Sequence, residues 1–482
     1  MSRSNARLPG VETAPQSPNA SQVKQNTSLT RVAAAASVGT AIEWYDFFIF
    51  GTAAALVFPY VFFTDQDPAT AILASFVTFA VAFFARPVGA GIFGHFGDKI
   101  GRKRTLVWTL FIMGASTVLI GLLPGYSTGT FGLFGNGIGL WAPILLVAMR
   151  FFQGFAVGGE WAGAALLAAE YAPQGKRGMM TMWPQLGCAF AFLLSSGTFL
   201  VFSLIAGAGA ALDSPFIQYG WRIPFLLSSV LVIIGLWIRL AVEETPVFRQ
   251  EETRMVKDSK RNLPFLDVLK HQWKEILLAG GALASLFSFF YMGTSFLTNY
   301  ATGKLGHDRS FVLATGGVAA IVFGVAIAAS AMYSDRIGRR KVIGTSVTLA
   351  IVWSLAMFPI LDTGSTTAFI IVLLVTLIIF GIAYGPAGAL LPELFQARYR
   401  YTGAGLGYAL AGILGGALPP LAASQMVAAG NSFGVGIMLS LLSAVSMACV
   451  LLLKESSRNK MYVDIEPERA DTGTASAGAG IS

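Results

Sequence analysis

The chain has 482 residues, of which 55% are hydrophobic and 12% charged, and its net charge is +8. Soluble domains carry about 25% charged residues, and a soluble fold of this length could not hide so much apolar surface. The composition therefore excludes an ordinary soluble domain and indicates a protein solvated by a lipid bilayer. The basic residues lie in short loops between apolar segments, where membrane topology requires them, so the charge does not indicate nucleic-acid binding.

The two ends of the chain differ from the rest. Residues 1–28 and 456–482 are polar and rich in small residues, and we expect both to be disordered cytoplasmic tails. The first of them has no apolar signal-peptide core, so the first span is the expected insertion signal. Cys188 and Cys449 lie in apolar runs and the three histidines are scattered, so the sequence predicts no disulfide, no metal site and no cofactor.

Twelve apolar segments are each long enough to cross a hydrocarbon core of about 30 Å as a helix. They are residues 32–60, 70–94, 105–124, 140–170, 179–207, 222–242, 275–300, 311–333, 342–361, 367–391, 402–427 and 434–453. A cytoplasmic central loop, residues 243–274, separates the first six from the last six. The sequence thus predicts an all-α polytopic membrane protein with two six-helix bundles, residues 29–242 and 275–455.

Basic residues predict the orientation, because they accumulate in cytoplasmic loops. One set of alternate loops is rich in them: Lys99, Arg102, Lys103, Arg104, Lys176, Arg177, Arg249, Arg254, Lys257, Lys260, Arg261, Lys270, Lys274, Arg336, Arg339, Arg340, Lys341, Arg398 and Arg400. The opposite set holds Lys304 and Arg309, with Arg222 at the edge of a span. We expect the first set and both termini to be cytoplasmic. Apolar residues at 263–273 predict either a helix on the inner leaflet or a solvated linker with one short helix.

A charged, glycine-containing turn occurs twice. Residues 94–104 read G-H-F-G-D-K-I-G-R-K-R, and residues 334–341 read S-D-R-I-G-R-R-K. Such a turn cannot lie in hydrocarbon, and its recurrence indicates a duplicated bundle of the kind found in secondary transporters. Loop anchoring explains the basic residues but not the recurring acid and glycines. We therefore predict a latch, in which Asp98 accepts hydrogen bonds from a neighbouring helix N-terminus or pairs with an arginine.

A second sequence pattern is repeated at the ends of the fourth and tenth spans. Glu170 is followed by Arg177, and Glu393 is followed by Arg398 and Arg400. We assign both pairs to the charge network of the turns. The predicted cytoplasmic gate comprises Gly94, Gly97, Asp98, Gly101, Arg102, Arg104, Glu170, Arg177, Asp335, Gly338, Arg339, Glu393, Arg398 and Arg400.

These motifs carry a family resemblance. The first turn resembles the signature loop of the major facilitator superfamily, and residues 150–154 (R-F-F-Q-G) resemble its arginine motif. Further stretches resemble the metabolite:proton symporter family, which includes carriers for shikimate, α-ketoglutarate, citrate, and proline or betaine. They are residues 43–48 (E-W-Y-D-F-F), 84–89 (F-A-R-P-V-G), 158–163 (G-G-E-W-A-G), 220–225 (G-W-R-I-P-F), 244–248 (E-T-P-V-F) and 399–403 (Y-R-Y-T-G).

The resemblance covers residues 30–455 and implies a proton-coupled carrier whose two bundles open alternately to each side. Span one and residues 299–306 are most similar to the shikimate carriers of that family. The family's osmosensing carrier bears a C-terminal coiled coil, and the tail after Ser456 has no apolar heptads. The resemblance therefore favours a metabolite carrier over an osmosensor.

Charged residues within the spans are the candidates for proton coupling. Glu43 and Asp46 lie at i and i+3 near the middle of span one, where a carboxylate is costly unless it is functional or paired. Arg150 can neutralise one of them or bind a substrate carboxylate with its planar fork, and the resemblance implies a proton-coupling role for it. A static salt bridge is the alternative. We expect a second buried pair between Arg86 and Glu160, or between these residues and span one, and the predicted coupling set is Glu43, Asp46, Arg150 and Glu160.

Polar and amphipathic side chains within the spans are candidate substrate contacts, with a helix–helix hydrogen bond as the alternative for each. With Arg86, they are Gln153, Trp183, Gln185, Tyr291, Asn299 and Tyr384. The predicted function is proton-coupled import of a small organic acid, shikimate-like or a di- or tricarboxylate, by a monomer in a bacterial-type cytoplasmic membrane. The alternative substrate is a zwitterionic osmolyte such as proline or betaine.

Other classes of function fit the sequence less well. A receptor on this fold predicts a soluble signalling domain, and a membrane enzyme needs a catalytic constellation; the sequence offers neither. A channel is disfavoured because paired latches suit alternating closure. No phosphate-binding G-x-x-x-x-G-K-[ST] run occurs, so ATP is not the expected energy source.

Overall fold

The computed structural model describes residues 29–100, 102–130, 135–158, 160–170, 172–173, 175–206, 214–241, 264–396 and 399–453. At residues 29–36, 94–100, 102–104, 106, 167, 170, 238–241 and 264–266 only the backbone is described. The two predicted tails and residues 242–263 of the central loop lie outside the described residues.

The described chain forms twelve spans. In the N-terminal half these are Leu29–Leu56 (span 1), Pro68–Ile100 (span 2), Arg102–Leu122 (span 3), Trp141–Val157 with Glu160–Glu170 (span 4), Arg177–Ala206 (span 5) and Phe216–Gly220 with Arg222–Ala241 (span 6). In the C-terminal half they are Trp273–Tyr291 continuing through Met292–Phe296, Leu297–Asn299 and Tyr300–Lys304 (span 7), Arg309–Ile337 (span 8), Arg339–Leu361 (span 9), Thr366–Leu394 (span 10), Arg400–Ala411 with Gly412–Ala417 and Leu418–Ala428 (span 11) and Ser432–Leu452 (span 12).

Length and composition support a bilayer location for these helices. Ten are long and apolar enough to cross a membrane, and the other two, spans 1 and 3, have 28 and 21 residues. The predicted twelve-helix fold in two halves is confirmed. We call the side on which spans 2, 4, 8 and 10 end the motif face, and the opposite side the far face.

The spans turn large apolar side chains outward. Ile205, Trp237 and Val325 are 75%, 72% and 65% exposed, as expected where lipid replaces water and exposed apolar groups carry no cost. Besides a large apolar core, the buried faces hold serines and threonines such as Ser203 on span 5 and Thr376 on span 10. The polar side chains that could do chemistry are thus concentrated inside the bundle.

Spans 2 and 4 approach each other closely because span 4 carries glycines at 154 and 158. A Cβ on Gly154 would lie 2.2 Å from the carbonyl oxygen of Ala82, and one on Gly158 would lie 2.1 Å from that of Arg86. Small residues four positions apart let helix backbones touch in membranes. This contact brings together the two helices that carry Arg86 and Arg150.

Contacts between the halves join span 1 to 7, span 2 to 11, span 4 to 10 and 11, and span 5 to 8 and 10. π-helical turns interrupt spans 7 and 11 at Met292–Phe296 and Gly412–Ala417. Such turns redirect side chains and are frequent at functional sites. They lie on two of the helices that face the N-terminal half.

The central loop contributes a short helix, Pro264–His271, to the motif face. Val268 is buried, and the Tyr399 hydroxyl donates to the Asp267 carboxylate at 2.9 Å. The described end of the loop is therefore docked onto the turn before span 11, and it forms the short helix that both sequence alternatives allowed.

Candidate functional site

Asp46 lies at the middle of span 1 and is fully buried. Thr117 of span 3 donates to its Oδ2 at 2.6 Å, and Ser228 of span 6 donates to its Oδ1 at 2.5 Å. A buried carboxylate is costly unless hydrogen-bonded, and hydroxyls can act as donor or acceptor. Asp46 is therefore held inside the N-terminal half by groups that can partner it with or without a proton.

Arg150 of span 4 joins this network indirectly. Its Nη1 donates to Gln153 Oε1 at 3.1 Å, and Gln153 Nε2 donates to Thr117 Oγ1 at 2.6 Å. Both charged side chains are described, and no direct ion pair joins them. The sequence suggested that Arg150 could pair directly with a carboxylate of span 1. In the structure, a chain of hydrogen bonds connects Arg150 through Gln153 and Thr117 to Asp46 instead.

Aromatic rings surround the Arg150 guanidinium, which is fully buried. Its Cζ lies 4.0 Å from the ring centroid of Phe50, 4.3 Å from that of Phe47 and 5.1 Å from that of Phe79. A desolvated cation over an aromatic face gains up to about 2 kcal/mol. The rings help to stabilise a charge that has little hydrogen bonding: among the described residues, Nε and Nη2 have no partner.

A narrow pocket opens between the halves and contains a second pair of opposite charges. Glu43 of span 1 and Arg86 of span 2 line it, each 3% exposed. The remaining lining residues are Val157, Gly158, Trp161, Ala162, Gly405, Tyr408 and Ala409. Of the two predicted partners for Arg86, the structure brings the span 1 carboxylate into the pocket. Glu160, which is described, is buried at the start of Glu160–Glu170 and does not line it.

Glu43 and Asp46 therefore have different surroundings although they are three residues apart. Asp46 bonds to two spans of its own half, whereas Glu43 faces a pocket that both halves build. The spacing of i and i+3 places both carboxylates on neighbouring positions of span 1, and the structure puts one carboxylate in each of two adjacent sites.

A stacked pair of rings closes the pocket on the side of the C-terminal half. The rings of Trp161 and Tyr408 are 3.8 Å apart and nearly parallel, at 11°. Trp161 Nε1 donates to Gln185 Oε1 at 3.1 Å, and Gln185 Nε2 donates to the Tyr384 carbonyl oxygen at 2.8 Å. Gln185 and Tyr384 were both predicted to contact substrate. In this conformation they form a helix–helix hydrogen bond between the two halves.

Tyr291 of span 7 brings a hydroxyl of the C-terminal half to the charges of the N-terminal half. The side chain is 2% exposed, and its hydroxyl has no hydrogen-bond partner among the described residues. Its ring packs edge-on against Phe83 at 4.9 Å, within electrostatic range of Arg86 and Arg150. A buried hydroxyl without a partner costs about 1–3 kcal/mol, so this group is suited to bind a ligand or a water molecule.

On the motif face, Asp335 joins the two halves. Its carboxylate accepts hydrogen bonds from the backbone N–H groups of Gly178 and Met179, both at 2.9 Å, and from Arg339 Nη2 at 2.8 Å. Gly178 and Met179 form the first turn of span 5, where free N–H groups and the helix dipole stabilise an anion. The second copy of the turn thus forms the kind of latch that the sequence predicted for Asp98.

The second copy of the repeated glutamate–arginine pattern, at Glu393, lies beside this latch. Glu393 Oε1 is 3.6 Å from Arg177 Nη1 and 3.6 Å from Arg339 Nη2, and all three side chains are buried. Gly338 takes a φ of 101°, which non-glycine residues rarely adopt, and so permits the tight turn between spans 8 and 9. Arg400 instead donates from Nε to the Pro392 carbonyl oxygen at 2.8 Å.

The remaining predicted gate residues are not described at the level of side chains. Gly101 and Arg398 lie outside the described residues, and only the backbone is described at Gly94, Gly97, Asp98, Arg102, Arg104 and Glu170. Their roles stay predictions.

On the far face, the halves are joined by weaker contacts. Asn299 of span 7 donates from Nδ2 to the Ala55 carbonyl oxygen of span 1 at 2.9 Å. The Arg309 guanidinium at the start of span 8 lies 4.3 Å from the ring centroid of Phe216 on span 6. Asn299 thus holds the halves together in this conformation. Because both faces carry contacts between the halves, the pocket lies between two closures.

Trp183 is not brought to the site. It is half-buried and lies at i, i+7, i+11 and i+18 with Phe190, Leu194 and Val201, which are exposed. On a helix with 3.6 residues per turn these positions share one flank, and that flank faces the lipid. The amphipathic ring made Trp183 a candidate, but its position around the helix axis places it outside the bundle interior. The sequence of an apolar span does not show which side of the helix faces the interior.

Several site residues were missed from the sequence: Thr117, Ser228, Phe47, Trp161 and Tyr408. A serine or threonine in the middle of an apolar run is weak evidence for a functional site, because its hydroxyl usually donates a hydrogen bond to a backbone carbonyl of its own helix. Which of many such hydroxyls faces Asp46 depends on how spans 3 and 6 are rotated.

Comparisons with known proteins identify the family of this chain. The sequence matches the sugar (and other) transporter family over residues 32–277 and 276–461. The chain belongs to this family of the major facilitator superfamily. It is therefore a multi-pass membrane protein of a transporter family that acts on small molecules, and the two matched segments correspond to the two halves.

The inner membrane metabolite transport protein YhjE of Escherichia coli (strain K12) is 40% identical over 440 residues, covering 90% of this chain and 96% of that protein. The shikimate transporter of the same organism is 38% identical over 435 residues, covering 89% and 95%. A crystal structure of a D-xylose-proton symporter resembles the fold with a TM-score of 0.68 at 17% identity, covering 90% of this chain and 99% of that one.

Proposed function

We propose that this carrier is a proton-coupled symporter that imports a small organic acid across the cytoplasmic membrane, with the motif face and both termini in the cytoplasm. The observation that carries the proposal is the pocket between the halves, in which Arg86 faces both halves of the carrier. A guanidinium is a planar donor group that suits a carboxylate. The similarity to a shikimate transporter supports a small hydroxylated acid.

The proton has two candidate sites in this proposal. Glu43 lines the pocket and can exchange a proton whenever the pocket opens. Asp46 lies deeper, and its hydroxyl partners can rearrange on protonation. Glu160 is the next candidate. Arg86, Gln153, Gln185, Tyr291, Asn299 and Tyr384 remain candidate substrate contacts that become available as the halves part, and the carrier acts as a monomer.

The test is uptake into proteoliposomes from a panel of radiolabelled shikimate, α-ketoglutarate, citrate, proline and glycine betaine. We expect accumulation of one acid when the outside is acidic, and loss of accumulation with a protonophore. Uptake that follows a sodium gradient at fixed pH would remove the proton-coupling proposal.

The alternative function is uptake of a zwitterion such as betaine. The same pocket offers the Glu43 carboxylate and the stacked Trp161–Tyr408 rings, and aromatic faces bind quaternary ammonium groups. Accumulation of betaine or proline without any acid in the panel would select this alternative.

The carboxylates give a sharper prediction. Glu43→Gln and Asp46→Asn should each abolish uphill accumulation, and one of the two should retain exchange of substrate, because exchange moves no net proton. Arg150→Lys should fail in both assays, since a lysine cannot keep both the aromatic contacts and the bond to Gln153. Well-folded variants that all accumulate substrate normally would move the proton site to Glu160.

A further inference from the structure

The ring of Phe47 lies between the two arginines of the site. Arg86 Cζ is 4.2 Å from its centroid and Arg150 Cζ is 4.3 Å from it, so the two guanidinium carbons are no more than about twice that distance apart. Phe47 is 2% exposed, Arg86 is 3% exposed and Arg150 is fully buried. Two like charges thus share one buried aromatic ring.

Neither arginine is fixed by a full set of hydrogen bonds. Among the described residues, Arg86 Nε and Arg150 Nε and Nη2 have no hydrogen-bond partner, although all are buried. Their positions therefore depend on the rings that they contact. Arg86 also lies 5.1 Å from Phe83, and Arg150 also lies 4.0 Å from Phe50, whereas Phe47 is the ring that they share.

The two arginines belong to the two adjacent sites. Arg86 lines the pocket beside Glu43, and Arg150 is connected to Asp46 through Gln153 and Thr117. Like charges at this separation interact appreciably where the effective dielectric constant is low. A change of charge at Arg86 is therefore felt at Arg150 and, through it, at Asp46.

We propose that Phe47 is a positioning residue that couples the pocket to Asp46 by holding Arg86 and Arg150 at a fixed short separation. An anion that binds Arg86 cancels a positive charge close to the Arg150–Asp46 relay, and this favours proton binding at Asp46. By reciprocity, a proton on Asp46 favours the anion at Arg86. Such positive linkage is what a symporter needs, so the proposal rests on the proposed function and identifies the residue that connects its two sites.

The test compares Phe47→Leu with two matched variants. Phe83→Leu removes a ring that contacts Arg86 and not Arg150 at comparable range, and Phe50→Leu removes one that contacts Arg150 and not Arg86. Each variant is measured for exchange at equal pH, for pH-driven accumulation, and for the pH dependence of substrate Kd in detergent. The substrate is the panel acid that the unmodified carrier accumulates.

For Phe47→Leu we expect accumulation to fall by about tenfold, a typical loss of coupling between sites, while exchange persists. The Kd should lose its pH dependence. Phe47→Tyr should restore both, since it returns an aromatic face. Phe83→Leu and Phe50→Leu should keep a pH-dependent Kd even if they slow transport.

Two outcomes would overturn the proposal. One is an equal loss of exchange and accumulation in Phe47→Leu with an unchanged pH dependence of Kd, which would make the ring merely structural. The other is an equally flat pH dependence in the two matched variants. If Phe47→Leu does not fold, Phe47→Met, an unbranched side chain without an aromatic face, gives the same comparison. A failure of the proposed function is distinguishable, because the unmodified carrier would then accumulate no acid.

Discussion

The two faces of the carrier are closed by different chemistry. On the motif face, Asp335 accepts three hydrogen bonds, from the N-terminus of span 5 and from Arg339, and Glu393 lies between Arg177 and Arg339. On the far face, the described residues join the halves through a neutral amide–carbonyl hydrogen bond from Asn299 and through Arg309 over the ring of Phe216.

This difference predicts which closure is harder to open. Hydrogen bonds to charged groups contribute about 1.5–3 kcal/mol each, whereas neutral ones contribute about 0.5–1.5 kcal/mol. Contacts between the halves are therefore expected to be stronger on the motif face than on the far face. Opening the far face should then cost less free energy than opening the motif face. For an importer this means waiting for substrate on the outside, so the asymmetry agrees with the proposed direction of transport.

Asp335→Asn is expected to have the largest effect. It removes the charge at the span 5 N-terminus and leaves an amide group facing a backbone donor, so the state open at the motif face should gain about 10–100-fold in population. The measurement is the distance between spin labels at Lys176→Cys and Lys341→Cys, both exposed, in a Cys188→Ser, Cys449→Ser background.

Lys270→Gln, which changes an exposed charge on the same face, is the control and should leave the label distance unchanged. If Asp335→Asn also leaves it unchanged, the latch does not hold the motif face closed.

Gly178→Ala should have a slightly smaller effect on the same distance. A Cβ at this position would lie 2.3 Å from the Ala331 carbonyl oxygen of the other half, so the halves must separate on the motif face at a cost of about 1–3 kcal/mol. Gly197→Ala on the same helix, where a Cβ meets nothing within 4 Å, should behave like the unmodified carrier. Equal behaviour of the two variants would contradict the close approach.

Asp98→Asn tests whether the first turn repeats the contact of the second. If Asp98 binds the N-terminus of span 11 as Asp335 binds that of span 5, turnover should fall by about tenfold with little change in substrate affinity, because the motif face lies about 20 Å from the middle of the spans by helix rise. Transport rate and equilibrium binding are measured on the same preparation. Loss of binding with normal label distances would show a different role.

Asn299→Ala should have the smallest effect, because it removes a single neutral hydrogen bond. We expect the far face to open about 2–10-fold more often, measured between labels at the exposed positions Thr64→Cys and Thr363→Cys. Gln218→Ala, an exposed amide on the same face, is the control. A shift as large as that of Asp335→Asn would remove the proposed asymmetry between the faces.

The sequence by itself determined the membrane fold, the duplication and the charges that matter. Twelve apolar segments and a turn that recurs at residues 94–104 and 334–341 are local signals, because hydrocarbon tolerates helices and rejects charged loops. The same reasoning marked Glu43, Asp46, Arg86 and Arg150, since a charge within a span is costly wherever it points.

Only the tertiary structure decided which partner each charge meets. The spans are apolar on nearly every side, so their sequences carry little information about how each helix is rotated about its axis. That rotation decides which neighbours Glu43 and Asp46 face, turns Trp183 towards lipid and brings Thr117 and Ser228 to Asp46. The position of Phe47 between two arginines likewise depends on the close contact of spans 2 and 4 at Gly154 and Gly158. A sequence shows which groups cannot be left in lipid, and helix packing determines how those groups are paired.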